Sequence, residues 1–240
     1  MLRLSIVTTI LEAEDKLLDS IRSIRPRQNS EHLITVAGDY ERASRLVRDL
    51  GEKRPVLIPA PKCNITDGFN ECITRASGDL IWILNSGDRE INIDPLIDAL
   101  AADPTLDFAY GDIRYGESLL RARPAPITKL GCCLHGMSFC HGAVVVRRSF
   151  HDRYGLYPFY DVCMDAGLFI PAILKGARMA SVNSPVAYIE PGGRSNSPAR
   201  RIPDLYQIMA RHLPPPFPAL LAAKWYAASH LGAFRSKWAR

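Results

Sequence analysis

No stretch of this 240-residue chain is apolar for long enough to cross a bilayer, and it has no internal repeat or low-complexity tract. Cys-x-x-Cys pairs are missing as well, although there are six cysteines: Cys63, Cys72, Cys132, Cys133, Cys140 and Cys163. Cys132, Cys133, His135, Cys140 and His141 do cluster, but structural zinc sites pair their ligands at tighter, recurrent spacings. Reduced thiols of a cytosolic protein are therefore the reading. A signal-peptide layout is also lacking, because Met1 to Thr9 runs directly into a strand-like segment, and the body is expected to be cytoplasmic. Acidic residues almost vanish near the end. From position 194 onward there are eight Lys or Arg against Asp204 alone, so that segment carries +7 and everything before it −2. The body is no polycation, and nucleic acid is not the expected partner; an anionic membrane surface is the other partner such a tail suits.

The most informative stretch is Ile65 to Asp88. Ile65, Phe69, Cys72, Ile73 and Ala76 fall on one helical face, and Gly78 is placed to end that helix in a left-handed cap. Leu80 to Leu84 is a short uncharged apolar run, suited to a strand buried on both faces of a parallel sheet. Asn85, Ser86, Gly87 and Asp88 follow at once. Ligands of open α/β sheets sit beyond the carboxyl ends of the strands, which makes a carboxylate there a candidate for chemistry.

Around this stretch, strands are expected at Leu4–Thr9, His32–Ala37 and Val56–Ile58, with helices from Asp15 to Ile24 and Tyr40 to Leu50. Such alternation predicts a parallel sheet covered by helices. Asp94 and Pro95 start a helix that runs to about Ala102, and Asp107 to Tyr115 reads as a strand. Arg121 to Gly142 has no clear period and reads as a long functional loop. Strands at Ala143–Arg147 and Ser181–Ile189 flank a helix at Val162–Lys175 that Gly176 ends, and Pro191-Gly192-Gly193 is a turn. Pro214, Pro215, Pro216 and Pro218 mark a boundary. Beyond it, Ala219 to Trp238 mixes Leu220, Leu221, Trp225, Tyr226, Leu231, Phe234 and Trp238 with basic residues. That composition suits a helix in a membrane interface, or one packed on the body or on a partner.

Several of these motifs, in this order, resemble the family 2 glycosyltransferases of the GT-A fold. The resemblance is carried by Ile65-Thr66-Asp67-Gly68-Phe69-Asn70, Ala76-Ser77-Gly78-Asp79 and Asn85-Ser86-Gly87-Asp88. It continues at Cys140-His141-Gly142 through Arg147-Arg148, at Asp165, and at Gly192-Gly193-Arg194-Ser195. It implies a single α/β GT-A domain with a mostly parallel central sheet flanked by helices, over residues 1–195. Residues 1–115 would be its nucleotide-sugar half and 116–195 its acceptor half, with a basic helical extension at 196–240. The implied activity is inverting transfer of a sugar from a nucleotide diphosphate to a hydroxyl of a glycan or lipid-linked acceptor, in surface polysaccharide or lipopolysaccharide assembly. The enzyme would be cytoplasmic, or peripheral on the inner face of the cytoplasmic membrane. The alternative is a catalytically degenerate member that binds a sugar nucleotide or a partner without turnover.

Such transfer requires neutralisation of the leaving diphosphate, removal of the acceptor's proton, and alignment of the two reactants. A divalent metal, Mn2+ or Mg2+, would do the first by bridging phosphate oxygens to a carboxylate, for which Asp88 is the candidate ligand. Asp165, at the position where relatives have the aspartate facing the acceptor, is the candidate base, with Asp161 as its rival. Donor contacts are expected from Thr8, Thr9, Glu12, Asp39, Asp67, Asn85, Ser86 and Gly87, and diphosphate or acceptor contacts from His141 and Arg194. Two departures stand out: Asn85 is an amide where many relatives have a first aspartate, and Ala37 replaces the usual aspartate after the second strand. Uridine specificity then depends on Asp39 substituting for it.

Overall fold

The computed structural model describes the chain except Met1, Ala13, Asp49, Glu52, Lys53, residues 193–196 and the last two residues; for 230–238 it describes the backbone alone. The chain folds as two compact units. The first comprises Met1–Pro126, Ser138–Tyr157 and Ala177–Pro191; the second comprises Ile127–Met137, Pro158–Gly176 and Gly192–Arg240.

The first unit holds a nine-stranded sheet among its described residues. Strands β1 (Leu4–Ile10), β2 (Ser30–Val36), β3 (Val56–Pro59) and β4 (Leu80–Ile83) form a parallel half in the order β3-β2-β1-β4. Every residue of β1 and β4 is buried, as their unbroken apolar character requires. The remaining strands are β5 (Arg89–Glu90), β6 (Phe108–Tyr115), β7 (Ser118–Leu120), β8 (Val144–Arg147) and β9 (Met179–Ile189). β8 runs antiparallel to both β4 and β6, while β9 pairs parallel with β6, so the complete sheet is mixed. Because the direction reverses twice between β4 and β6, the carboxyl ends of β6 and β9 return to the rim formed by β1, β2 and β4. The core against this sheet includes Trp82, Leu96, Leu100, Val145 and Val186.

Helices α1 (Lys16–Ser23), α2 (Tyr40–Val47), α3 (Ile65–Arg75) and α4 (Asp94–Ala102) fall where the apolar periodicity puts them. Asn64 caps α3 by accepting the Asp67 N–H at 2.9 Å. The expected glycine cap at the other end of α3 is corrected. Ala76, with an extended backbone, closes the helix, and Gly78 serves close approach, since a Cβ there would lie 2.6 Å from the Ser5 nitrogen. Helix α5 (Lys129–His135) lies inside the segment read as a loop, its start capped by the Thr128 hydroxyl on the Gly131 N–H. A helix α6 (Arg148–Tyr154) after β8 also went unread, because seven residues are too few to establish a period.

In the second unit α5 is joined by α7 (Met164–Leu174), α8 (Pro198–Ala210) and α9 (Phe217–Trp238). Asp204 of α8 is buried, and its Oδ2 accepts the N–H groups of Val162 (2.8 Å) and Cys163 (3.1 Å). A carboxylate from one helix thereby satisfies donors ahead of the first turn of another. α9 packs on α8 with Pro218 and Leu221 buried, while Lys224 Nζ and Trp225 Nε1 donate to the Leu134 carbonyl of α5. Phe217, Leu220 and Tyr226 are exposed. Among the described residues no helix is long and apolar enough to cross a membrane.

Candidate active site

The rim at the carboxyl end of β4 is built by a tight turn. Gly87 takes φ +96°, a conformation that disfavours any side chain, and its N–H donates to the Ser20 hydroxyl of α1 at 2.8 Å. The turn aims Asp88 inward, leaving it 4% exposed. Its Oδ1 accepts the Glu190 N–H (2.9 Å) and its Oδ2 the Asn85 amide (3.0 Å). Burial raises the Asp88 pKa against the pull of these two hydrogen bonds, and the Glu190 carboxylate adds to the rise. A Cβ on Gly87 would come within 3.4 Å of both Glu190 Cβ and Lys16 Cδ, so these two chains flank the turn. Lys16 pairs with Glu14 at 2.6 Å, and that contact, followed by the Glu14 and Glu190 charges, raises its pKa against partial desolvation.

The turn that carries His141 and Gly142 is held over the same rim. The Trp82 indole N–H of β4 donates to the Gly142 carbonyl at 2.8 Å, and a Cβ on Gly142 would lie 3.7 Å from Asp88 Oδ2. His141 Nε2 lies 2.9 Å from the Tyr157 hydroxyl, with the ring set edge-on against Phe69 of α3. Ser86 Oγ is shielded from solvent and has no hydrogen-bond partner among the described residues.

A second feature lies at the ends of β1 and β2. A cavity of about 320 Å³ is lined by Leu11, Glu12, Gly38, Asp39 and Arg42. Gly38 lies close against Leu11, since a Cβ on Gly38 would sit 2.4 Å from the Leu11 carbonyl oxygen. Asp39 Oδ1 accepts the Arg42 N–H at 2.9 Å and thereby caps α2.

The structure thus brings Asn85, Ser86, Gly87, Asp88 and His141 together at one rim and places Glu12 and Asp39 in one cavity. Thr8 and Thr9 are buried and engaged within the sheet. The Thr8 hydroxyl donates to the Leu84 carbonyl at 2.6 Å, and that of Thr9 lies 2.9 Å from the Thr35 hydroxyl. Asp67 is exposed in the first turn of α3 and accepts from the Asn64 amide at 2.7 Å. Arg194 lies outside the described residues. Asp165 stands half-buried in the first turn of α7 in the second unit, its Oδ1 accepting the Ala166 N–H. Both oxygens of Asp161 are held by Arg200 at 2.7 Å. Sequence reasoning missed Glu190, Lys16, Ser20 and Arg42. Glu190 was readable by the same rule that singled out Asp88, a carboxylate directly after a strand. Arg42 gave no signal apart from its place in the first turn of α2.

No family model matches the chain, and no curated protein does either. Among solved structures it is similar to the mannosyltransferase PcManGT from Pyrobaculum calidifontis in complex with GDP-Man and Mn2+. The TM-score is 0.67 at 17% identity, over 94% of this chain and 69% of that one. It is also similar to S. aureus TarS 1-349 in complex with UDP-GlcNAc, with TM-score 0.68 and 14% identity over 93% and 71% of the two chains. The chain therefore has the α/β fold of the nucleotide-sugar glycosyltransferases, with a mixed sheet flanked by helices. At these identities the likeness establishes the fold alone.

Proposed function

We propose that this chain is an inverting family 2 glycosyltransferase. It would move a sugar from a nucleotide diphosphate to a hydroxyl of a glycan or lipid-linked acceptor, in surface polysaccharide or lipopolysaccharide assembly. The observation that carries this reading is the buried Asp88 carboxylate, aimed by the Gly87 turn at the rim of a sheet with this fold. In the reaction, a lone pair of the acceptor oxygen forms the bond to the anomeric carbon. The bond from that carbon to the phosphate oxygen breaks, its electron pair leaves with the nucleotide diphosphate, and the acceptor's proton passes to Asp165. Attack opposite the leaving group inverts the centre. Asp165 is preferred to Asp161 because Arg200 engages both oxygens of Asp161, whereas Asp165 uses one oxygen in its own first turn.

Among the described residues no three His, Cys, Asp or Glu side chains gather, and both Asp88 oxygens accept hydrogen bonds. A divalent cation would therefore have Asp88, with Glu190 beside it, as its protein carboxylates, and would need to displace the Asn85 amide or the Glu190 N–H to reach an Asp88 oxygen. One or two carboxylates completed by substrate phosphates is how Mg2+ and similar ions are commonly held at phosphate sites. Such an ion, when bound, supplies the positive charge that stabilises the departing diphosphate. Asn85 orients Asp88 through its amide, and the Lys16 chain, paired with Glu14, runs beside the same turn.

The test is a donor-hydrolysis and transfer screen over nucleotide sugars, with and without Mn2+ or Mg2+, run beside Asp88→Ala and Asp165→Ala. Loss of the general base is expected to reduce transfer by roughly 10² to 10⁴. Full transfer by Asp165→Ala would assign the base elsewhere, and metal-dependent turnover surviving in Asp88→Ala would remove the ligand assignment. Asn85 and Ala37 favour the second reading, a binding protein without turnover. Calorimetric binding of a sugar nucleotide with neither hydrolysis nor transfer would establish that reading instead. For α9 we propose an anionic membrane surface as partner: Leu220 is exposed and the sequence from 217 to 240 has no acidic residue, while Lys224 and Trp225 hold the helix to α5.

A further inference from the structure

We infer that the donor is a guanine nucleotide, selected by Glu12 and Arg42 in the cavity at the ends of β1 and β2. This rests on the sugar-nucleotide reading above and adds the identity of the base. The cavity's volume of about 320 Å³ is at the lower end of ligand pockets, enough for a nucleoside. Among the described residues its polar side chains are of two kinds: carboxylates, which accept, and a guanidinium, which donates. Asp39 has already given one oxygen to the cap of α2, leaving Oδ2. Glu12 and the Arg42 guanidinium make no hydrogen bond or ion pair among the described residues, and both are exposed. The Ala37 N–H donates to the Ile10 carbonyl, and the Ala37 carbonyl accepts from the Lys62 N–H.

A base that satisfies this lining must present paired donors to one carboxylate and paired acceptors to one guanidinium. Guanine does both. N1–H and the 2-amino group form an adjacent donor pair for Glu12, and O6 with N7 forms the acceptor pair that arginine bonds in bidentate fashion. The remaining Asp39 oxygen is then free for a ribose hydroxyl. Uracil offers a single N–H between two carbonyls, so the second oxygen of a carboxylate would face a carbonyl instead of a donor. Adenine alternates donor and acceptor along each edge and suits an amide. Cytosine can give its amino group to the carboxylate and N3 with O2 to the guanidinium, one bond fewer than guanine, and is the runner-up.

The experiment is calorimetric titration of the full chain with GDP, UDP, ADP and CDP in Mn2+, repeated with Glu12→Gln and Arg42→Ala. GDP is expected to bind at least about tenfold more tightly than the other three, the lower end for one bidentate pair. Glu12→Gln should weaken GDP by about tenfold and leave UDP nearly unchanged, because its amide meets the guanine donors with one oxygen. Another nucleotide binding as tightly as GDP, or a GDP preference that survives both substitutions, overturns the guanine inference while the transferase reading stands. Failure of all four to bind overturns the transferase reading itself, and this inference with it.

Discussion

Lowering the pH from 7.5 to 5 is expected to destabilise the protein through a ring at the heart of the parallel half. His32 on β2 places Nε2 2.9 Å from the Thr8 hydroxyl, and that hydroxyl already donates its proton to the Leu84 carbonyl. The hydroxyl must therefore accept from the ring, so Nε2 carries the hydrogen and Nδ1 is bare. Although the residue keeps some exposed surface, Nδ1 is sealed from solvent and has no partner. Protonation would create an N–H with nothing to receive it, and burial pushes the pKa from 6.5 down to about 3. The sign follows from proton counting. Between these values the unfolded chain binds the proton and the folded one does not, so the stability is present above pH 6.5 and is lost as pH falls. At about 1.36 kcal/mol per pH unit, the interval from 6.5 to 5 costs about 2 kcal/mol. With a urea m-value of about 2 kcal/mol/M, that is about 1 M in the unfolding midpoint. His151 is buried, with Nε2 unpartnered, and burial lowers its pKa and that of His212 as well, so the wild-type loss contains more than the His32 contribution. His32→Gln keeps an N–H donor for Thr8 and cannot titrate, so it isolates that contribution. Urea unfolding of both proteins at pH 7.5 and 5 should show the variant losing about 2 kcal/mol less than wild type. Parallel losses, or a His32 ring resonance that titrates near pH 6 in the folded protein, would refute the reasoning.

Asp88→Asn should raise the melting temperature at pH 7.5 without divalent metal, because the pKa of the carboxylate is raised in the fold and its charge opposes folding above that pKa. Wild type should gain about 2.7 kcal/mol from Mn2+ and nucleotide at 100 times their Kd, and the variant much less. A variant that melts below wild type, or responds equally to Mn2+, contradicts the assignment. For α9, sedimentation with phosphatidylglycerol vesicles should pull the protein down at low salt, whereas neutral phosphatidylcholine vesicles should not. Leu220→Glu should weaken that binding by about tenfold or more, since it removes an exposed apolar contact and adds like charge to the lipid. Equal binding to both vesicle types would exclude an anionic surface as its partner.

The sequence by itself determined the elements of the parallel half and the acidic turn after β4. Helical spacing in α3, the unbroken apolar run of β4 and the polar residues that follow it are written within some two dozen consecutive residues, whereas the left-handed glycine expected at Gly78 is found at Gly87. It also marked Glu12 and Asp39 as rim residues, because a position just past a strand is set by chain order alone. Tertiary structure decided the rest. Whether a hydroxyl faces ligand or core depends on which strand lies beside it, and Thr8 is spent on the Leu84 carbonyl just past β4, seventy-six residues away. Glu190 reaches Asp88 only because the sheet reverses direction twice before β9, and Asp204 caps the start of α7 only because α8 folds back on it. Periodicity records which face a segment buries; which distant segment meets that face follows from packing the whole chain at once.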